Sequence, residues 1–362
     1  MIPLVKVAMA PKEKIMPALE DVLYSGMLAE GEYVYRFEDA FKSHFKIEGT
    51  VLGMSSGTAA LHTALLLAGV KAGDEVITTS MTAEPTNLSI LYVGAKPVFA
   101  DVIDTSGNIS ADSIESHITN KTKAILVVHY AGYPVELEKI SKIARKYNIP
   151  LIEDCAHALG SEYGGKTIGN YGDYAIYSLQ AIKHMTTVDG GILVIKNSEQ
   201  VTAAKKIRWF GMEKGVDRTK VDITSPGFKY NMSNVTGAIG LVQLDYIDSI
   251  INIHKSNGRY YDAQLKDVSG VTTGSFDCEA SPSYWLYTLV SEDWEDIQKK
   301  LTEKGVMASK LHRPNHYHTI FTYPENKLPG LDSFYGNLLH IPCGWWVNEE
   351  QREMIVETIA RG

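Results

Sequence analysis

Between residues 50 and 200 the chain alternates short apolar, β-branched runs with longer runs whose apolar residues recur at helical spacing. The short runs predict strands at Thr50–Met54, Glu75–Thr79, Lys96–Asp101, Ala124–Tyr130, Pro150–Asp154, Tyr174–Ser178 and Gly191–Ile195. The longer ones predict helices at Thr58–Ala68, Pro85–Val93, Ser110–His117 and Leu137–Tyr147. In the last of these Leu137, Ile140, Ile143, Ala144 and Tyr147 share one face. Such alternation is the signature of an α/β domain on a mostly parallel sheet with helices on its faces. A further apolar-periodic helix is expected over Val235–Ile251, after which the elements become shorter and more polar. The pattern therefore predicts a large domain over residues 1–245 and a smaller α+β domain over 246–362. No Pro/Gly/Ser-rich linker separates them, so close packing is expected.

Composition narrows the function classes. The 362 residues are 44% hydrophobic, enough for a substantial core. Lys and Arg number 35 against 43 Asp and Glu, a net charge of -8 that gives no overall attraction to a phosphate backbone, so no nucleic-acid partner is expected. Cys155, Cys278 and Cys343 are widely separated and have neither disulfide-framework nor zinc-ligand spacing, so no metal is expected and a reducing compartment fits. The start, MIPLVKVAMAPKEK, lacks the apolar stretch of a signal peptide, and the uncharged run Gly49–Val70 is broken by Ser55, Ser56, Thr58, His62 and Thr63. A cytoplasmic protein without a membrane span is the expectation.

In a parallel α/β sheet, ligands bind beyond the carboxyl ends of the strands, so polar residues that end apolar runs carry the candidate chemistry. Ser55-Ser56-Gly57-Thr58 precedes a helix, a turn whose amides suit either an ordinary N-cap or a phosphate. Asp154 ends a strand three residues before His157. Ser178 and Lys183 lie in a polar loop between two strands, and Gly227-Phe228-Lys229-Tyr230-Asn231 forms a cationic turn before a long helix. Singly each has a bland reading. Jointly they are the parts needed to hold pyridoxal 5'-phosphate (PLP): a lysine for the Schiff base, an aspartate for the pyridine nitrogen, and a serine and amides for the phosphate.

The chain resembles the DegT/StrS-type aminotransferases, PLP enzymes of the aspartate-aminotransferase fold (fold type I) that act mostly on nucleotide-linked keto-sugars. The likeness is carried by SGMLAEGEYVYRFEDAF (25–41), SSGTAALHTALLLAGVKAGDEVITTSMT (55–82), VVHYAGYPVELE (127–138), IEDCAHALGSEYGGKTIGNYGD (152–173), SLQAIKHMTTVDGG (178–191) and GFKYNMSNVTGAIGLVQLD (227–245). The resemblance implies that Lys183 is the Schiff-base lysine and proton shuttle and that Asp154 partners the ring nitrogen. It places His157 near the ring hydroxyl and Gly57, Thr58 and Ser178 at the phosphate. It implies L-glutamate as amino donor, a keto-sugar acceptor, and a homodimer in which Lys229 and Asn231 reach the neighbouring site. Many members carry Asn and Arg at those two positions, and an aromatic residue where this chain has Ala83. Glu84 has no assigned role. HRPNHYHTIF (312–321) departs from the family average, with His312, Arg313, Asn315 and His318 as candidate substrate contacts, and Trp345 and Trp346 read equally as substrate contacts or as packing. A non-nucleotide keto-sugar or small ketone as acceptor, and a PLP-binding regulatory protein, stand as alternatives.

Overall fold

A computed structural model describes residues 1–321 and 327–361. All seven predicted strands form, and they lie in one sheet in the order Thr50–Met54, Gly191–Ile195, Tyr174–Ser178, Leu151–Asp154, Thr122–Val128, Glu75–Thr79, Lys96–Ala100. The last five pair parallel, and Gly191–Ile195 runs antiparallel to both of its neighbours. Successive side chains point to opposite faces of a strand, so a sheet covered on both sides needs apolar residues at every position. In Thr122–Val128, Ala124, Leu126 and Val128 join the hydrophobic cluster on one face while Ile125 and Val127 join that on the other.

The expected helix over Val235–Ile251 is longer, running Asn234–Leu265 without a break. Its second half was hidden because polar and small residues, His254, Asn257 and Gly258, interrupt the buried face between Ile251 and Tyr261. His254 Nδ1 bonds the Tyr284 carbonyl at 2.9 Å, and Asn257 Nδ2 donates to the carbonyls of Cys343, Gly344 and Val347. Gly258 has no side chain because the Tyr284 ring passes within 2.3 Å of where a Cβ would stand. The helix crosses residues 245 and 246, where the pattern placed a domain seam, and links the large sheet to a three-stranded one of Thr272–Thr273, Tyr287–Val290 and Leu338–Ile341. The cluster around that small sheet takes in Ile2, Leu4, Met81, Phe99 and Tyr130 as well as Leu289, Leu339 and Ile355. Residues from the chain's start and from the rim of the large sheet thus share its core.

Beneath the strand ends Glu153 is wholly buried. Its carboxylate accepts from the amides of Gly169, Tyr171 and Gly172 and faces His129 Nε2 at 3.3 Å. Burial alone would raise its pKa, but the hydrogen bonds from His129 and from the Gly169 and Gly172 amides outweigh this and hold it below its ordinary value of 4.5. A depressed carboxyl contributes stability that is present above the unfolded value and lost as pH falls toward the folded one. Glu153→Gln offers one acceptor oxygen where two are used, so a loss of about 3 kcal/mol is expected from urea unfolding at neutral pH. That gap should narrow below about pH 4.5; a gap independent of pH would show that the carboxylate charge contributes nothing.

Candidate active site

The carboxyl ends of the strands surround a cavity of about 520 Å³ lined by, among others, Gly57, Thr58, Asp154, His157, Ser178 and Lys183. Six candidates from separate sequence segments thus meet. Ser56 caps the helix Gly57–Leu67, taking the Ala59 amide on its side chain at 3.1 Å and the Ala60 amide on its carbonyl. The amides of Gly57 and Thr58 are left as the helix's first orphans, among the described residues, and both residues line the cavity. The N-cap and phosphate readings of this turn are therefore compatible. Gly191, across from it, carries no Cβ because one would stand 2.5 Å from the Ser56 carbonyl and 2.6 Å from the Gly57 nitrogen.

Asp154 is 2% exposed; Oδ2 accepts from the Thr86 hydroxyl at 2.9 Å and Oδ1 from the Ala156 amide at 3.0 Å. Burial raises its pKa, and those two hydrogen bonds and the charge of Lys183 only partly offset this. Such a carboxylate suits a cationic ring nitrogen. Lys183 keeps part of its surface on the cavity, yet protein surrounds its amine, and this desolvation lowers its pKa to about 8 against the opposing pull of Asp154. His157 is held well below its ordinary pKa by burial and then by the Lys183 charge, and its buried Nδ1 has no hydrogen-bond partner. An acid beside open space, an orphaned imidazole nitrogen, two free helix amides and an amine with a lowered pKa together fit PLP.

The loop bearing Lys183 is pinned from three directions. Leu179 and Gly190 close its base at 2.9 Å, and the Gln243 amide, from the long helix, donates to the Thr186 carbonyl at 2.9 Å and to the Ala8 carbonyl at 3.0 Å. Trp285 Nε1 donates to the Ile182 carbonyl at 2.9 Å. Its ring stacks on His157 with centroids 4.1 Å apart, and His312 stacks on the same imidazole at 5.4 Å. The aromatic ring on the cavity wall is thus His157, backed by Trp285, while Ala83 lines the wall with a methyl group. Thr86, Gln243 and Trp285 were missed in the sequence because each acts through a tertiary contact; Trp285 sits in the run SYWLYTLV, which reads as core.

The remaining candidates lie outside this cavity. Lys229 hydrogen-bonds to Asn231 and lies 4.6 Å from the Trp209 ring, and Asn231 donates to the Ala29 carbonyl at 2.9 Å. Asn315 departs from its expected role as a substrate contact: it is wholly buried, its amide spent on Asn87 and the Thr82 carbonyl at 2.8 Å, so it clamps the loop instead. Arg313 is exposed over the Tyr317 ring, and His318 Nε2 lies 3.5 Å from the Glu84 carboxylate without a hydrogen bond. Trp346 packs, donating to the Pro3 carbonyl at 2.8 Å; Trp345 lines a small recess behind Lys183. A more open hollow of about 630 Å³, with Lys123, Arg145 and Lys196 on its rim, lies by Leu151 and Tyr174 at the start of their strands, at the end of the sheet away from this chemistry. No described helix is long and apolar enough to cross a membrane.

Solved proteins of this architecture are PLP-dependent aminotransferases of fold type I. The sugar aminotransferase CalS13 from Micromonospora echinospora matches at a TM-score of 0.94 and 35% identity, with 100% of each chain covered. Spr1654 from Streptococcus pneumoniae, solved in a PLP form and a PMP form, matches at TM-scores of 0.90 and 0.91 with 25% identity, over 99% and 100% of this chain and 98% of that one. Among curated proteins, the UDP-4-amino-4-deoxy-L-arabinose--oxoglutarate aminotransferase of Shewanella sediminis is 36% identical over 78% of this chain and 74% of its own. The chain belongs to the DegT/DnrJ/EryC1/StrS aminotransferase family, whose profile matches residues 10–360. Its homologues and structural neighbours include sugar aminotransferases, and the family's aminotransferases are PLP-dependent.

The approach of Gly191 to the Ser56–Gly57 turn leaves no room for a methyl group. Gly191→Ala should cost about 1–3 kcal/mol of stability through overpacking. It should weaken PLP binding, followed by absorbance titration, more than an alanine at the exposed Gly336, which has no atom within 4 Å of its Cβ position. Equal effects at the two positions would show that the close approach does not shape the phosphate turn.

Proposed function

We propose that this enzyme moves an amino group from L-glutamate to the ketone of a nucleotide-linked sugar, in amino-sugar biosynthesis. The observation that carries the reading is the convergence of Lys183, Asp154 and the free Gly57 and Thr58 amides on one cavity. Bound PLP supplies an electron sink beside the carbon that loses its proton. The chain's residues do the rest. Gly57, Thr58 and Ser178 hold the phosphate, and Asp154 keeps a proton on the ring nitrogen by offering it a buried anionic partner. His157 stays neutral at pH 7 and lines the cavity, where it would sit near the ring hydroxyl. Lys183, whose pKa near 8 places it between amine and ammonium at physiological pH, attaches the cofactor and then takes and returns the substrate proton at Nζ.

Glutamate is supported by the name of the Shewanella relative, an oxoglutarate aminotransferase acting at a UDP-linked sugar. Two copies of the chain form the working unit in this reading, with the exposed Lys229 of each reaching the other's site; Asn231, expected to do the same, is 5% exposed with its amide on the Ala29 and Met232 carbonyls, and holds Lys229 instead. Supporting this, Lys229 lies outside its own cavity, and Met16, Leu23, Tyr24, Met27 and Leu28 expose apolar surface on the N-terminal segment. Arg313, the exposed cation beside His312, is suited to an anionic group of donor or acceptor.

Adding L-glutamate to the PLP-loaded protein should convert its visible absorption to that of the pyridoxamine form, and a nucleotide-linked keto-sugar should then gain the amine, read by mass spectrometry. Conversion without transfer to any nucleotide-linked sugar, but with transfer to an unlinked ketone, would overturn the acceptor. Lys183→Ala should lose covalent attachment and at least about 10²-fold in rate. Attachment to the apoprotein should speed up as pH rises through about 8, the value set by burial of Lys183. Asp154→Asn removes a charge that favours the ammonium, so this midpoint should move down; an upward move would contradict the electrostatic account.

A further inference from the structure

Lys183 Nζ lies 4.0 Å from the centre of the Trp285 ring, and among the described residues it forms no ion pair. The ring is fixed in place from several sides. Its Nε1–H donates to the carbonyl of Ile182, the residue immediately before the lysine, and its face stacks on His157. Its flanking backbone is held by Ser283 and Leu286, whose amides donate to the carbonyls of Gly132 and Ala131 at 3.1 Å and 3.2 Å. At 2% exposure the indole is shut off from water, the setting in which a cation–π contact is strongest.

We propose that Trp285 is a positioning residue whose indole face is the resting place of the Lys183 amine in its ammonium form, in the apoprotein and after that amine has taken up the substrate proton. The inference rests on the reading of Lys183 as the cofactor-bearing lysine. A two-stage transamination must release this amine and take it back, so the enzyme needs a docking place that orders the amine and lets it go. The other groups facing it are Asp154 at the strand end, His157 in the loop that follows, His184 next to it, His312 from the C-terminal loop, and Lys6 and His254, which line the recess behind it. Burial lowers the pKa of all four histidines, leaving them neutral, and Lys6 carries a like charge. Asp154 is the one anion in this set and is committed to the ring nitrogen in the reading above. The indole is left to hold the ammonium. A desolvated cation–π contact favours ammonium over amine by roughly 3- to 30-fold.

The test reads the protonation of Lys183 in the apoprotein, without turnover. Trace acetic anhydride is applied across a pH series, and acetylation of the Lys183 peptide is scored by mass spectrometry against exposed lysines. Trp285→Leu should lower the midpoint and, from a starting pKa of about 8, raise labelling at pH 7 by about 2- to 8-fold. Trp285→Phe, which keeps a weaker aromatic face, should shift it less. Protein grown with 5-fluorotryptophan keeps the shape and the N–H but has a weaker ring quadrupole, so it guards against variants that fail to fold; its midpoint should also fall, with unchanged melting. An unmoved midpoint in the fluorinated protein, or equal shifts in the Phe and Leu variants, would overturn the role of Trp285. Borohydride reduction of the PLP-loaded wild type and peptide mapping test the underlying reading separately. Attachment at another residue would overturn that reading whatever the labelling shows, whereas attachment at Lys183 with an unmoved midpoint would overturn the tryptophan proposal alone.

Discussion

An amine surrounded by protein is costly to charge, and much of this structure serves to place one such amine where its proton affinity is useful. Lys183 lies on a loop between two antiparallel strands, where water would ordinarily keep a lysine cationic over the whole physiological range. Enclosure brings its pKa to about 8, and Asp154 prevents a larger fall. The same desolvation acts on Asp154 with the opposite sign, raising its pKa and making a cationic partner in the cavity favourable. One physical effect thus sets both ends of the acid–base system.

Enclosing a loop lysine requires many attachments, and these come from every part of the chain. Gln243 ties the loop to both the long helix and the N-terminal segment. Trp285 binds it from the start of a strand in the smaller sheet. Asn315 anchors the 312–321 loop to Asn87 and Thr82, and so places His312 over His157. Since each tie is a hydrogen bond between elements distant in sequence, the loop is ordered only when the whole chain has folded. The absence of a linker, and a core that draws in Ile2 and Leu4 alongside Ile341 and Ile355, agree with this cooperative build.

What was legible in the sequence divides along the same line. The seven strands, and the residues at their ends, were readable because a sheet buried on both faces demands uninterrupted apolar runs and a strand end exposes the polar residue after each run. Gly57, Asp154, Ser178 and Lys183 are of this kind. The second half of the helix Asn234–Leu265 was not readable, because His254, Asn257 and Gly258 interrupt the buried face between Ile251 and Tyr261, and no hydrophobic periodicity reports it. Trp285 and Thr86 were hidden for a related reason, since a tryptophan in an apolar run and a threonine on a helix look like packing until their partners are known. Asn315 misled in the opposite direction: a polar residue in an unusual loop reads as exposed, whereas its amide is consumed inside the protein.

The two halves of the site are therefore under different constraints. The cofactor half is assembled from segments that the sheet itself aligns, with spacing set by strand and turn geometry, so it is held by features as local as the missing Cβ of Gly191. In the proposed reading the acceptor half draws on the 312–321 loop, which Asn315 anchors, and the shared dimer adds Lys229 to it. Ala83 lines the cavity with a methyl group, and the next residue, Glu84, is partly exposed with its carboxylate 3.5 Å from His318 Nε2. A carboxylate at the mouth accepts hydrogen bonds from sugar hydroxyls and repels phosphates. An acceptor entering past it would therefore place its ring toward Glu84 and its diphosphate toward Arg313 or the partner copy's cationic turn. In the proposed reading this orientation, opposite in charge at its two ends, would distinguish a nucleotide-linked sugar from a neutral one at the same ketone.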